Sequence, residues 1–288
     1  MKKKKIRIII IAAAALALVA AITAAISLNW HKIYLFLEKN GVFCHEIAID
    51  DAENIELVRI GLEELEKDSK VTFDQSLMLI NTEYLLAEDF QPQVSEYKDT
   101  TVYMSDCMLD AYASLSAAVT EKTGNKLYVS SDLRSAEEQE ALYLEDPLTA
   151  TLPGASEHQS GLALDVYVAY YAGDGFLKSP SGRFVNSHCH EYGFIIRYPS
   201  HAEDITGIRF EPWHIRYVGQ PHASVIYNNH ITLEEYVLGL EVGQWYEIDG
   251  YFVCRQEMSE QGKFELPAEF ESCIISPDNT GCYIITVK

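Results

Sequence analysis

Residues 161–171, GLALDVYVAYY, alternate apolar and polar side chains with the two-residue period of a half-buried strand, then meet a turn at residues 172–175, AGDG. Upstream, residues 107–124 read as a helix closed by Gly124, and residues 126–131, KLYVSS, as a strand. Ser135 with Glu138 makes a capping box for a helix through AEEQEALYLE. Downstream, SHCHEYG ends a helix and FIIRYP is another strand. Strands and helices are interspersed without a βαβ repeat, so the expected fold class is α+β, a mainly antiparallel sheet with helices packed on it. After a helix at TLEEYVLGL the tail from Gln244 is strand-rich and reads as a small β module.

At 288 residues and 48% hydrophobic composition, the chain has enough apolar matter for a full core. Residues 1–30 carry five basic side chains and no acid, and the uncharged run from Ile8 to Leu28 approaches the ~20 residues that cross a bilayer. A cleaved signal peptide has an apolar core of ~7–15 residues, so an uncleaved anchor is expected, with its lysines cytoplasmic and Asn29 onward outside. Cleavage after the small residues of AAIS is the alternative. The remainder then holds 17 basic against 43 acidic groups, about −26. Such a field repels nucleic acid, and no nucleic-acid partner is expected.

The expected divisions are a cytoplasmic tip and transmembrane anchor over 1–30, an acidic helical stalk over 31–75, a catalytic domain over 76–240 and a β-rich module over 241–288. Six cysteines allow up to three disulfides, and none forms a C-x-x-C pair. Cys273 and Cys282 flank the turn-rich SPDNTG and are the expected pair, with buried free thiols as the alternative.

The chemistry gathers in two stretches. Residues 156–165, SEHQSGLALD, place His158 and Asp165 seven residues apart, with a glycine before the strand that carries the aspartate. Residues 210–219, FEPWHIRYVG, add His214. Two imidazoles and a carboxylate suit Zn²⁺ with a fourth position left for water. A regular strand would send Glu211 and His214 to opposite faces, but a bend at Pro212 brings both to one site. A carboxylate beside the metal can take a proton from water and pass it to a leaving amine. The plainer alternative is a core strand in which Trp213 and His214 are satisfied interior residues and His158 is a polar loop residue. His188 and His190 would lie roughly 200° apart on a helix, which argues against a metal pair there.

These stretches resemble a family. SEHQSGLALD resembles the S-x-H-x-x-G-x-A-x-D motif of VanY-type zinc D-alanyl-D-alanine carboxypeptidases, and EPWHIRYVG resembles their E-x-W-H motif. YVSSDLRSAEEQ is similar to their arginine-bearing segment and GFIIRYP to the strand before the last motif, so the resemblance spans roughly residues 76–220. It implies that His158, Asp165 and His214 bind zinc and that Glu211 is the catalytic base. It further implies that Arg134 steadies the carbonyl oxygen as charge develops, that Ser156 holds the substrate carboxylate and that Gln139 lines the same pocket. The chain departs from the family at Asp132 and Leu133, where a glycine and an aromatic usually precede the arginine.

The expected activity is therefore removal of the C-terminal D-alanine from peptidoglycan stem peptides ending in D-Ala-D-Ala, on the outer face of a bacterial membrane. A D,D-dipeptidase or a cross-link endopeptidase of the same fold is the first rival. A non-catalytic wall-binding protein is the second, and it would have no use for Glu211.

Overall fold

The computed structural model describes residues 2–147 and 150–288 and has an α+β architecture with helices packed against antiparallel sheets. Its site-bearing sheet has four antiparallel strands in the order Tyr128–Ser131, Ala163–Tyr167, His214–Tyr217, Phe194–Ile196. The strand expected from the alternation in GLALDVYVAYY thus lies inside the sheet, between two partners. Its period of two sends Leu164 and Val166 to one face, where they join Ile215 of the neighbouring strand in a core with Met104, Tyr112 and Phe194. Helices Leu109–Thr123 and Pro180–His188 cover that face. Each fully buried aliphatic side chain there contributes ~1.5–3 kcal/mol. The opposite face is free to carry Asp165, whose strand partners are Ser131 on one side and His214 on the other.

The expected helix ends are present in detail. Gly124 closes its helix in the left-handed conformation at φ 74°. Ser135 and Glu138 make both reciprocal bonds of a capping box, and Thr232 with Glu235 repeats the device at the helix Leu233–Gly239.

A second sheet has six strands in the order Asp50–Asp51, Trp245–Ile248, Tyr251–Gln256, Tyr283–Val287, Cys273–Pro277, Val71–Phe73. Helices His222–Asn228 and Leu233–Gly239 fill the space between the two sheets. Their Val225, Ile226 and Tyr236 pack with Ile195 of the first sheet and Ile248, Val253 and Ile284 of the second.

Two expectations are corrected here. Residues 31–75 are not a helical stalk: helix is confined to Trp30–Lys39 and Leu62–Leu65, and the remainder includes three strands. Leu57–Gly61 pairs with Lys263–Pro267, while Asp50–Asp51 and Val71–Phe73 form the two edges of the six-stranded sheet. The acidic run that reads as one solvated helix face is divided: Asp50 and Asp51 lie exposed on an edge strand, and Glu63 and Glu64 on the single-turn helix Leu62–Leu65. The expected Cys273–Cys282 disulfide is also not present; all six cysteines are free. In the hairpin, Cys273 is opposite Val287 whereas Cys282 adjoins the Pro277–Tyr283 end, so the ladder separates them by several steps of about 3.3 Å, beyond disulfide reach.

The N-terminal helix runs from Lys2 to Leu28 and is followed by Trp30–Lys39; Met1 lies outside the described residues. Among the described residues no single helix is long and apolar enough to cross a membrane, but Ala13–Ser27 and Trp30–Lys39, bent by 58°, meet that test of length and composition together.

Candidate metal centre

Three local structures converge on the polar face of the four-stranded sheet. The first is the short 3-10 turn Glu157–Ser160, which carries His158 and ends at Gly161 with φ 71°. A glycine is required there twice over, since a Cβ would also stand 2.6 Å from Val94 Cγ1. The second is the strand bearing Asp165. The third is the turn before His214, where the His214 N–H donates to the Glu211 carbonyl at 3.1 Å. Asn186 anchors this turn by donating to the Pro212 carbonyl at 2.8 Å.

The result is a cluster of His158, Asp165 and His214 whose ligand atoms all lie within 4.8 Å of one another. His158 Nε2 is 3.6 Å from Asp165 Oδ2, and His214 Nδ1 is 3.0 Å from Asp165 Oδ1. The His158 Nδ1–H donates to the Asp132 carbonyl at 2.9 Å, which fixes the tautomer that leaves Nε2 free to ligate. Both imidazoles are buried, while the Asp165 and Glu211 side chains are each 21% exposed. Glu211 Oε2 reaches to 3.9 Å from His214 Nδ1 without joining the ligand set.

The electrostatics favour a cation. Burial opposes ionisation of Asp165, yet the hydrogen bonds from His158 and His214 hold its carboxyl well below the usual carboxylate range. Burial likewise disfavours charge on His214, but Asp165 and Glu157 outweigh it and hold its pKa at about 9. Burial pushes His158 down, toward the neutral form a ligand needs, and pushes Glu211 up. An ionised Asp165, a neutral His158 and a His214 whose surroundings demand positive charge together form a donor set that fits a divalent metal ion.

The other expected residues surround this cluster. Arg134 is half-buried, and its guanidinium donates to Gln139 Oε1 at 2.7 Å and to Ser131 Oγ at 2.8 Å. It borders a groove of about 760 Å³ together with Leu86, Phe90, Leu133 and Gln159. Gln139 is buried and gives its amide nitrogen to the Thr151 carbonyl at 2.6 Å, so it holds the arginine and does not line the groove. Ser156 is buried at the start of the 3-10 turn, and its hydroxyl does not cap that turn. The departures at Asp132 and Leu133 have places as well: the Asp132 side chain accepts from the Tyr103 N–H at 2.6 Å, and Leu133 lines the groove.

The residues that sequence reasoning misses are Glu157, Arg197, Arg216 and Glu234. They form a buried ion-pair network behind His214. Burial opposes the charge on Glu157, but Arg216 and Arg197 hold its carboxyl far below the usual range.

Comparison with known proteins gives this geometry a context. A family model described as VanY, D-alanyl-D-alanine carboxypeptidase, matches residues 101–220. The chain is 35% identical over 178 residues to the bifunctional D-Ala-D-Ala dipeptidase and D-Ala-D-Ala carboxypeptidase VanXYC of Enterococcus gallinarum, spanning 56% of this chain and 93% of that protein. It superposes on the D,D-dipeptidase VanXYg, solved with a D-Ala-D-Ala phosphinate analogue, at a TM-score of 0.61 and 25% identity, covering 81% of this chain and 99% of that one. A VanY D,D-pentapeptidase from a VanB-type resistance cassette, solved with Zn(II), superposes at 0.51 with 27% identity over 56% of this chain and 98% of its own.

Proposed function

The chain belongs to the VanY family of D-alanyl-D-alanine carboxypeptidases, and from that premise we propose that it is a zinc enzyme removing the C-terminal D-alanine from peptidoglycan stem peptides. His158, Asp165 and His214 would hold the ion. When bound, Zn²⁺ supplies Lewis acidity: it brings the pKa of water toward neutrality and polarises a carbonyl oxygen.

The observation that carries the reading is Glu211, 3.9 Å from a ligand nitrogen yet outside the ligand cluster. A binding protein has no use for that carboxylate, whereas a hydrolase needs it as base and then acid. Glu211 takes the proton of the attacking water and returns it to the departing D-alanine amine. Its burial raises its proton affinity toward what such a shuttle requires. Arg134, fixed by Gln139 and Ser131, offers a stationary cation to the carbonyl oxygen as negative charge develops. Ser156 is assigned the terminal carboxylate of the substrate.

The dipeptidase activity of VanXYC and VanXYg supports a second reading, hydrolysis of the free dipeptide D-Ala-D-Ala into two molecules of D-alanine. One experiment separates the two. The full chain in detergent is incubated with a stem pentapeptide ending in D-Ala-D-Ala and, separately, with the dipeptide, and products are read by mass spectrometry. Loss of one D-alanine from the pentapeptide is expected; cleavage of the dipeptide alone would favour the second reading. We further propose that the lysine-rich start and the N-terminal helix anchor the chain, with the catalytic part outside the cell. Protease added to intact cells should then digest the bulk of the chain and leave that segment with the membrane.

A further inference from the structure

Glu157 precedes a ligand in the sequence but faces the interior, only 1% exposed. Its Oε1 accepts from Arg197 Nε at 2.7 Å and from Arg216 Nη1 at 2.6 Å. Arg197 also donates to Glu234 Oε2 at 2.8 Å, and Arg216 donates to the carbonyls of Ser76 and Met78 at 2.9 and 2.8 Å. Two carboxylates and two guanidiniums leave this cluster neutral, so nothing in it draws a further proton or counter-ion. One acceptor remains unspent. Glu157 Oε2 has no hydrogen-bond partner, and neither has His214 Nε2; both atoms are buried and they stand 3.6 Å apart. The other ring nitrogen of His214, Nδ1, faces Asp165 and Glu211.

We propose that Glu157 is the positioning residue of His214: in the metal-loaded centre its Oε2 closes the 3.6 Å gap to accept the Nε2–H and thereby commits Nδ1 to the metal. This rests on the reading of His214 as a zinc ligand. A neutral imidazole has one donor and one acceptor nitrogen, so an acceptor held at Nε2 leaves the lone pair on Nδ1. His158 is fixed in the opposite sense, through Nδ1–H to the Asp132 carbonyl. The two histidines of the centre therefore ligate through different nitrogens, each selected by an oxygen behind it. The paired arginines engage Oε1 and leave Oε2 turned to the imidazole, which gives the whole network a purpose at the site.

The test uses the full chain, zinc-loaded in detergent and labelled with ¹⁵N-histidine. The expected result is a slowly exchanging proton on His214 Nε2 and a zinc-shifted Nδ1. A proton on Nδ1, with Nε2 on the metal, would overturn the proposal. In parallel, zinc affinity is measured by chelator competition in Glu157→Gln, with circular dichroism to establish that the variant is folded. Affinity should fall by about 10–100-fold, the usual effect of losing a partner of a ligating histidine. Unchanged affinity in a folded variant also overturns it. If the variant does not fold, the labelled wild-type protein decides alone. A wild-type chain that binds no zinc sinks the metal reading itself, an outcome distinct from a wrong tautomer in a loaded site.

Discussion

Glu211 and His214 meet at 3.9 Å, Oε2 to Nδ1, although they are three residues apart at the mouth of a strand that would separate them. The turn that Pro212 opens, closed by the His214 N–H on the Glu211 carbonyl, brings both to one side. Replacing the acid by its amide should therefore leave the ligands intact and remove only the proton shuttle. Glu211→Gln is expected to retain near-stoichiometric zinc while turnover falls by roughly 10²–10⁴-fold. His214→Ala should lose metal and activity together. Metal analysis beside kinetics checks both, and a fully active Glu211→Gln protein defeats the assignment.

Chelation should abolish activity, and added Zn²⁺ should restore it. No serine is asked to attack, so penicillin should neither acylate the chain nor slow it. Intact-mass measurement after exposure to penicillin, with parallel activity assays, tests this pairing.

Gly161 and Gly207 both hold left-handed backbone, at φ +71° and +70°, but a Cβ meets Val94 Cγ1 at 2.6 Å only at Gly161. Gly207→Ala should cost about 1–2 kcal/mol for the backbone alone. Gly161→Ala should cost about 2–5 kcal/mol, the excess being overpacking against the strand Val94–Glu96. Denaturant midpoints of the two variants measure the difference.

His222 lies buried between the Tyr236 hydroxyl at 2.7 Å and Thr286 Oγ1 at 2.9 Å, and burial pushes its pKa down to about 3. The unfolded chain protonates this group near pH 6.5, the folded chain only near pH 3. Its contribution to stability is thus whole above about pH 6.5 and declines by about 1.4 kcal/mol per pH unit as pH falls between those values. His222→Gln should flatten the acid limb of a stability-versus-pH profile by that slope; an unchanged slope would contradict the buried neutral imidazole.

All six cysteines are free, so a thiol titration in denaturant without reductant should count six per chain. A count of four would restore a disulfide and displace the register of the last hairpin.

The cluster of His158, Asp165 and His214 is legible in the sequence because its geometry is local. Seven residues of turn and strand fix His158 against Asp165, and one proline explains how Glu211 joins His214. The ion-pair network is not legible for the converse reason. Glu157 sits in a polar loop segment, and nothing near it reports burial, because the arginines that make burial tolerable come from just past the strand Phe194–Ile196 and from its neighbour in the sheet, and the last carboxylate from a helix at 233. Gln139 reads as a pocket residue from its place after Arg134, and only the contact with Thr151 reveals that both its amide atoms are spent. Residues 31–75 mislead because short acidic edge strands and a solvated helix face have the same composition; what distinguishes them is a partner strand near residue 265.

The long reach of the six-stranded sheet governs the order in which the molecule can assemble. Tyr283–Val287 occupies the interior of the six-stranded sheet, while Asp50–Asp51 and Val71–Phe73 wait at its edges. As the chain emerges in sequence, Asp50–Asp51 remains without its partner until Trp245–Ile248 is available and Val71–Phe73 until Cys273–Pro277 is, so the slowest contacts to form are those between the most distant segments. The four-stranded sheet needs nothing beyond Tyr217 for its hydrogen bonds and can close first. During synthesis the catalytic motifs therefore come together while the flanking strands are still open edges, and it is that interval in which a nascent chain is most exposed to pairing with another copy of itself.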